Sequence, residues 1–384
     1  MTTAEQNLIL QIEKEYGQSV WMDNLSRDII HSGELKRLTE EGGIHGITSN
    51  PTIFEKAIAG NQIYDADIEA GIKEGKSVQA IYESLVFEDI REACDTLRPI
   101  YDETNGLDGY VSIEVPPTIA QDTDSTLSEA RRYFKAIGRE NVMIKIPGTP
   151  EGLPAVEAAI RDGININVTL LFSVQSYIDT AWAYIRGLEK RVEDGNDISK
   201  IASVASFFLS RIDVKIDEMI DEKVKGEDEE ATKAKLEAIK GKVAIANAKI
   251  AYQEFKKIFG SDRWKALEAK GAHVQRLLWA STGTKNPDYS DVMYVDELIG
   301  NNTVNTMPPA TIEACTDHCH PGDRIETDID EAYQLMETLK ESDVNIDLDQ
   351  VMAELLEEGI DKFVKPYESL LSSLENKVKQ LAAV

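Results

Sequence analysis

A lysine stands in the middle of VMIKIPGT, residues 142 to 149, a run that otherwise reads as a buried strand. Side chains alternate in direction along a strand, so Val142, Ile144 and Ile146 share one face while Met143 and Lys145 share the other. The apolar set suits a layer lying under helices. Lys145 then points into the opposite interior, where an unpaired ammonium is costly and tends to shed its proton. A neutral amine is a nucleophile that attacks carbonyl carbon and forms a Schiff base. The competing reading is a structural lysine paired with a carboxylate across the fold, and this segment alone leaves both open.

The same parity brings polar groups to the inward side of other runs. YVSIEV sets Ser112 and Glu114 together, opposite Ile113 and Val115, and INVTLLF sets Asn167 and Thr169 together, opposite Val168 and Leu170. In VWMDNL, Asp23 shares a face with Trp21 near the strand's end, and in GITSNPT Asn50 stands just before Pro51. Each has a plainer reading: Asp23 as the cap of the next helix, Asn50 as the start of a turn. Farther on, Ser210 and Arg211 follow ASVASFF, and the loop GTKNP with Lys285 follows RLLWAST. Cations beside hydroxyls and a glycine-containing loop make a phosphate site, although Arg211 alone reads equally well as a surface ion pair.

Eight short runs must hold these groups: VWMDNL (20 to 25), GITSNP (46 to 51), YVSIEV (110 to 115), VMIKIP (142 to 147), INVTLLF (166 to 172), ASVASFF (202 to 208), RLLWAST (276 to 282) and NTVNTM (302 to 307). Helical periodicity separates them, as in residues 77 to 103 and 127 to 140. Eight alternations predict a closed (β/α)8 barrel, an α/β fold whose chemistry sits at the carboxyl ends of its strands. An open doubly wound sheet is the alternative, but no Gly-x-Gly-x-x-Gly turn follows the first strand. Residues 214 to 258 read as two helices joined by an exposed turn. The chain after 310 reads as helices wrapping the outside of the barrel. One elaborated domain over 1 to 384 is expected, with a barrel core of about 18 to 310 and a helical extension of about 311 to 384.

The net charge of -28, from 69 acidic against 41 basic residues, repels phosphate backbones and anionic lipid headgroups, so neither nucleic acid nor membrane is an expected partner. No basic segment followed by an apolar one opens the chain, and three cysteines make no disulfide framework, which reads as cytoplasmic. Nothing separates an interface helix from any other outer helix, so association as a homodimer stays open.

Taken together and in order, WMDNLSR, GITSNPTIFEKAI, YVSIEVPP, NVMIKIPGTPEG, INVTLLFS, ASVASFFLSRID, RLLWASTGTKNPDY and NTVNTMPP resemble the transaldolases, in their longer subgroup, over roughly residues 20 to 310. The resemblance implies a (β/α)8 enzyme of the pentose phosphate pathway that needs no metal or nucleotide cofactor. Its reaction moves a dihydroxyacetone unit from sedoheptulose 7-phosphate to glyceraldehyde 3-phosphate, giving erythrose 4-phosphate and fructose 6-phosphate. It makes Lys145 the Schiff-base lysine and Asp23 the acid/base of carbon-carbon cleavage, with Glu114 and Thr169 orienting a proton-carrying water. Asn50 and Asn167 would hold substrate hydroxyls, Ser206 would line the same pocket, and Arg211, Ser281 and Lys285 would grip the phosphate. Shorter members carry an arginine close after the serine where this chain reads STGTK. A lysine is a point charge where arginine offers a fork, so the phosphate geometry is expected to differ.

CTDHCH, residues 315 to 320, raises a zinc site or a thiol switch, against a solvated loop after the last strand. A metal-dependent aldolase would need histidines spaced along strands, and His31, His45, His273, His318 and His320 are not so placed. A plain aldolase would share the donor chemistry. An idle barrel with a regulatory binding role would be expected to have lost the lysine, aspartate or glutamate.

Overall fold

The computed structural model describes residues 7–382; the first six residues of the amino-terminal stretch read for a leader lie outside them. Eight strands form a closed barrel in chain order: β1 (Gln18–Asp23), β2 (Gly46–Thr48), β3 (Tyr110–Glu114), β4 (Val142–Pro147), β5 (Ile166–Leu171), β6 (Ser203–Phe208), β7 (Arg276–Ala280) and β8 (Thr303–Met307). Every pairing is parallel, including β8 on β1. The expected runs all became strands; five end before their runs do, two of them for evident local reasons. GITSNP stops at Thr48 because the Asn50 side chain accepts from the Ile53 amide and Pro51 opens the helix Pro51–Ile58. RLLWAST stops at Ala280 because Ser281 takes a φ of 57°.

The outward residues Val142, Ile144 and Ile146 are fully buried in the core cluster, as strands covered on both faces require. Trp21 fills the barrel's lower interior so closely that a Cβ on Gly46 would lie 2.4 Å from Trp21 Cδ2. Any larger residue there would displace the indole. Below it, Arg276 Nη2 donates to Asp108 Oδ1 at 2.9 Å, and Ser19 and Trp21 donate to the same carboxylate. Arg276 leads the forces that hold the Asp108 carboxyl below its ordinary range despite burial. Ion pairing at this amino-terminal end supports the fold; the chemistry of barrels lies at the other end.

Two helical expectations need correction. Residues 214 to 258 contain three helices, Ser210–Lys225, Glu230–Glu237 and Val243–Ile258. The middle one occupies part of the expected exposed turn, with Thr232 and Leu236 buried on one side of it. The extension comprises Pro309–His318, Ile329–Lys340 and Leu348–Ala382. Its last helix does not wrap the outside. It packs on Pro51–Ile58, Val78–Glu103, Ser210–Lys225 and β5, and so crosses the carboxyl end of the barrel. Lys215 fastens it through Glu354 at 2.8 Å and Glu358 at 2.6 Å, and Tyr367 Oη donates to Gln79 at 3.0 Å. Among the described residues no helix is long and apolar enough to cross a membrane.

Candidate active site

Lys145 rises from β4 with only 5% of its surface exposed, and its Nζ donates to the Ser49 carbonyl at 2.9 Å. Glu114, its register neighbour on β3, brings Oε2 to 3.7 Å. A carboxylate therefore does accompany the lysine, but beyond hydrogen-bond distance. The amine also faces a cavity of about 130 Å³ at the carboxyl end of the barrel. A small molecule in that cavity would meet the amine directly.

Asp23 reaches the same cavity from the end of β1. Thr48 Oγ1 donates to Asp23 Oδ1 at 2.7 Å and lies 2.6 Å from Thr306 Oγ1. Burial raises the Asp23 carboxyl above its ordinary range, against the pull of Lys145, Thr48, Arg211 and Lys285. Its capping alternative is set aside, since Ser26 caps the helix Arg27–His31. Asn50 does both things read from it: it caps Pro51–Ile58 and lines the cavity.

Glu114 does not line the main cavity, although Thr169 does. Both Glu114 carboxylate oxygens and Thr169 Oγ1 are buried with no protein hydrogen-bond partner. Beside Glu114, between Asn50 and Tyr82, lies a small void of about 10 Å³, close to the space one water needs. Burial pushes the Glu114 carboxyl up to about 7, with Lys145 pulling the other way. Asn167 stays off the cavity wall, its amide donating to Ser112 Oγ at 3.1 Å and accepting from Ser206 Oγ at 2.6 Å. Ser206 itself lines the cavity, so Asn167 acts on its wall through that serine.

Arg211 opens the far side. Its guanidinium lies 5.2 Å from the Phe208 ring centroid and 5.7 Å from that of Phe363. Burial pulls it below its ordinary value, against Glu114 and Asp23. Nη1 has no hydrogen-bond partner, and among the described residues Arg211 makes no ion pair, so the surface-pair reading falls away. Ser281, held at positive φ, places Oγ 2.8 Å from Ser210 Oγ, and exposed Lys285 stands at the rim. A strained non-glycine residue is tolerated where the surroundings over-determine it, as at binding sites. Thr48, Thr306, Phe208 and Phe363 also line the cavity and were missed. Thr48 shares the parity of Asn50 and was within reach of the strand argument; Phe363 gave no such signal.

The solvated-loop reading of CTDHCH is corrected. Cys315 ends up inside the helix Pro309–His318, and both Cys315 and Cys319 are buried with their Sγ atoms 2.8 Å apart. Helical spacing of four residues puts the two thiols on one inward face. The imidazoles turn away: His318 pairs with Asp291 and Asp317, and His320 with Asp296. Among the described residues these four do not converge as ligands; Glu13, His45 and Asp108 do, beside the cation of Arg276.

A closed parallel eight-stranded barrel carries a buried lysine, nearby carboxylates and two cations at its carboxyl end, where barrels of this class hold their chemistry. The family model described as transaldolase/fructose-6-phosphate aldolase matches residues 20–374. The chain belongs to that family. Curated relatives agree across their length: a transaldolase of Trichodesmium erythraeum is 71% identical over 98% of this chain and 99% of its own. A transaldolase 2 of Nostoc sp. is 70% identical over the same shares. More distantly, a transaldolase of Mycobacterium leprae is 43% identical over the whole of both chains.

Proposed function

We propose that this chain is a transaldolase, a transferase that passes a dihydroxyacetone unit between sugar phosphates through a Schiff base on Lys145. The observation that carries this reading is the buried Lys145 amine facing a cavity shared with Asp23 and Arg211. In the forward direction the amine adds to the C2 carbonyl of sedoheptulose 7-phosphate, and loss of water gives an iminium. The C3–C4 bond then breaks, its electrons moving into the iminium to leave an enamine, while Asp23 takes the C4 hydroxyl proton and erythrose 4-phosphate departs. A carboxylate of raised proton affinity is a stronger base for that step. The enamine carbon next attacks the aldehyde carbon of glyceraldehyde 3-phosphate, whose oxygen recovers the proton from Asp23. Hydrolysis of the new iminium releases fructose 6-phosphate. Arg211, Ser281 and Lys285 receive the phosphate, Asn50 and Ser206 the hydroxyls near the carbonyl, and Asn167 fixes Ser206. No resident metal or organic cofactor is called for by these steps.

Glu114 and Thr169 hold the water that carries protons while the carbinolamine forms and dehydrates. Support comes from their three buried oxygens without protein partners. A carboxyl titrating at about 7 both gives and takes protons near neutrality. Activity should therefore fall as pH drops through about 7, because the protonated Glu114 no longer accepts a proton. Glu114→Gln is expected to lower turnover roughly 10²-fold and to flatten that acid limb. An unchanged limb in the variant's pH-rate profile would place this titration elsewhere.

The reading includes a cytoplasmic setting, in keeping with three free cysteines. Plain aldolase release is the second branch of the family's description and uses the same donor steps. The apolar rings of Phe208 and Phe363, which line the cavity that Lys145 faces, favour transfer. Borohydride trapping with fructose 6-phosphate, followed by peptide mass spectrometry, tests the core of the reading. A three-carbon adduct is expected on Lys145, and an adduct on no lysine would reject it.

A further inference from the structure

Five of the side chains around the reacting amine are polar and come from the barrel strands, Asp23, Thr48, Thr169, Ser206 and Thr306, and Arg211 joins them from the helix Ser210–Lys225. A ring of hydroxyls around one carboxylate and one guanidinium invites water, yet an enamine must outlive its first product. Two rings break this set, Phe208 at the end of β6 and Phe363. Phe363 comes from the carboxyl-terminal helix, is 3% exposed, and sets its ring centroid 5.7 Å from Lys145 Nζ and 5.7 Å from the Arg211 guanidinium.

We propose that Phe363 is a specificity-determining residue: it closes the cavity over Lys145 against solvent, so that the three-carbon enamine is transferred to an aldehyde instead of being released. The inference rests on the Schiff-base reading of Lys145 given above.

The fold is arranged to bring that ring in. Gly359 lies one turn before Phe363, and a Cβ there would sit 2.9 Å from Leu170 Cδ2 and 3.5 Å from Arg211 Nη1. Glycine lets the helix approach the barrel mouth at this point. Leu170 in turn holds a φ of 60° at the irregularity in β5, immediately after Thr169. The strand is bent where the helix meets it. Lys215, on the helix that also carries Arg211, binds Glu354 and Glu358, nine and five residues ahead of Phe363. Tyr367 and Gln79 tie the helix on the other side. Ring and guanidinium are thus positioned by the same pair of helices.

The two fates of the enamine differ at one step. For release, its nucleophilic carbon takes a proton from water; water then adds to the resulting iminium, the C–N bond breaks, dihydroxyacetone leaves and the amine is restored. For transfer, that carbon forms a C–C bond to the incoming aldehyde before hydrolysis. Hydrolysis ends both routes, so a group that keeps water from the enamine carbon changes their ratio without blocking either.

The test uses the full chain with fructose 6-phosphate, measuring dihydroxyacetone release without acceptor and sedoheptulose 7-phosphate formation with erythrose 4-phosphate. Phe363→Ala should raise the ratio of release to transfer roughly tenfold, with Phe363→Leu falling between. Borohydride should still trap the adduct on Lys145 in both variants. A parental ratio with the adduct intact overturns the inference while leaving the Schiff-base reading in place; no adduct even in the parent chain overturns both. Should Phe363→Ala fail to fold, Lys215→Ala loosens the same helix from outside the cavity. It and Phe363→Leu should both raise the ratio, and no change in either overturns the proposal.

Discussion

Lys145→Ala is expected to abolish transfer, lowering turnover by about 10⁴-fold or more, because the only covalent nucleophile of the proposed mechanism is gone. Lys145→Arg should do the same, since a guanidinium keeps its proton and adds to no carbonyl. The fold should survive. Removing the ammonium leaves Glu114 buried without its nearest cation, an arrangement that is strongly destabilising when the remaining charge has no outlet. Here an outlet exists, because burial already brings the Glu114 carboxyl to about 7 and it can take up a proton. Circular dichroism and thermal melting should therefore show a folded protein, while a coupled assay with fructose 6-phosphate and erythrose 4-phosphate shows no turnover. Near-parental activity in either variant would end the Lys145 assignment.

Asp23→Ala should separate the steps that Lys145 variants remove together. The methyl group cannot accept the C4 hydroxyl proton, so C3–C4 cleavage is expected to slow by roughly 10²- to 10⁴-fold. Imine formation should persist, since Lys145 keeps its Ser49 and Glu114 contacts. Thr48 loses the carboxylate it donates to but retains the Thr306 hydroxyl at 2.6 Å, which limits the structural damage. Trapping with fructose 6-phosphate should then give the intact six-carbon adduct on Lys145 in place of the three-carbon one. A three-carbon adduct formed at the parental rate would remove Asp23 from the cleavage step.

The barrel was legible because its signal is local. All eight runs, and the inward parity of Lys145, Glu114, Asn167 and Thr169, follow from the two-residue repeat of a strand, which needs no knowledge of neighbours. Asp23, Asn50, Arg211 and Lys285 were read instead from their positions at or just past strand ends, and all four line one cavity. Parity says which side a residue faces but not how deep it lies. Asn167 faces inward as expected, yet two serines satisfy its amide below the cavity wall. Glu114 likewise faces inward and borders a separate, water-sized void.

What the amino-acid sequence determined by itself was the order of the strands, the side on which each polar group falls, and a motif set specific enough to indicate the family. Only the tertiary structure decided where the helices go. An amphipathic helix announces that one face is buried, not what it is buried against. For that reason Leu348–Ala382 was expected outside the barrel, whereas long-range packing lays it across the mouth and brings Phe363 to within 5.7 Å of Lys145 Nζ. The thiols of Cys315 and Cys319 were hidden for the same reason, since a cluster of polar and sulfur-bearing residues reads as a loop until the helix beneath it is placed.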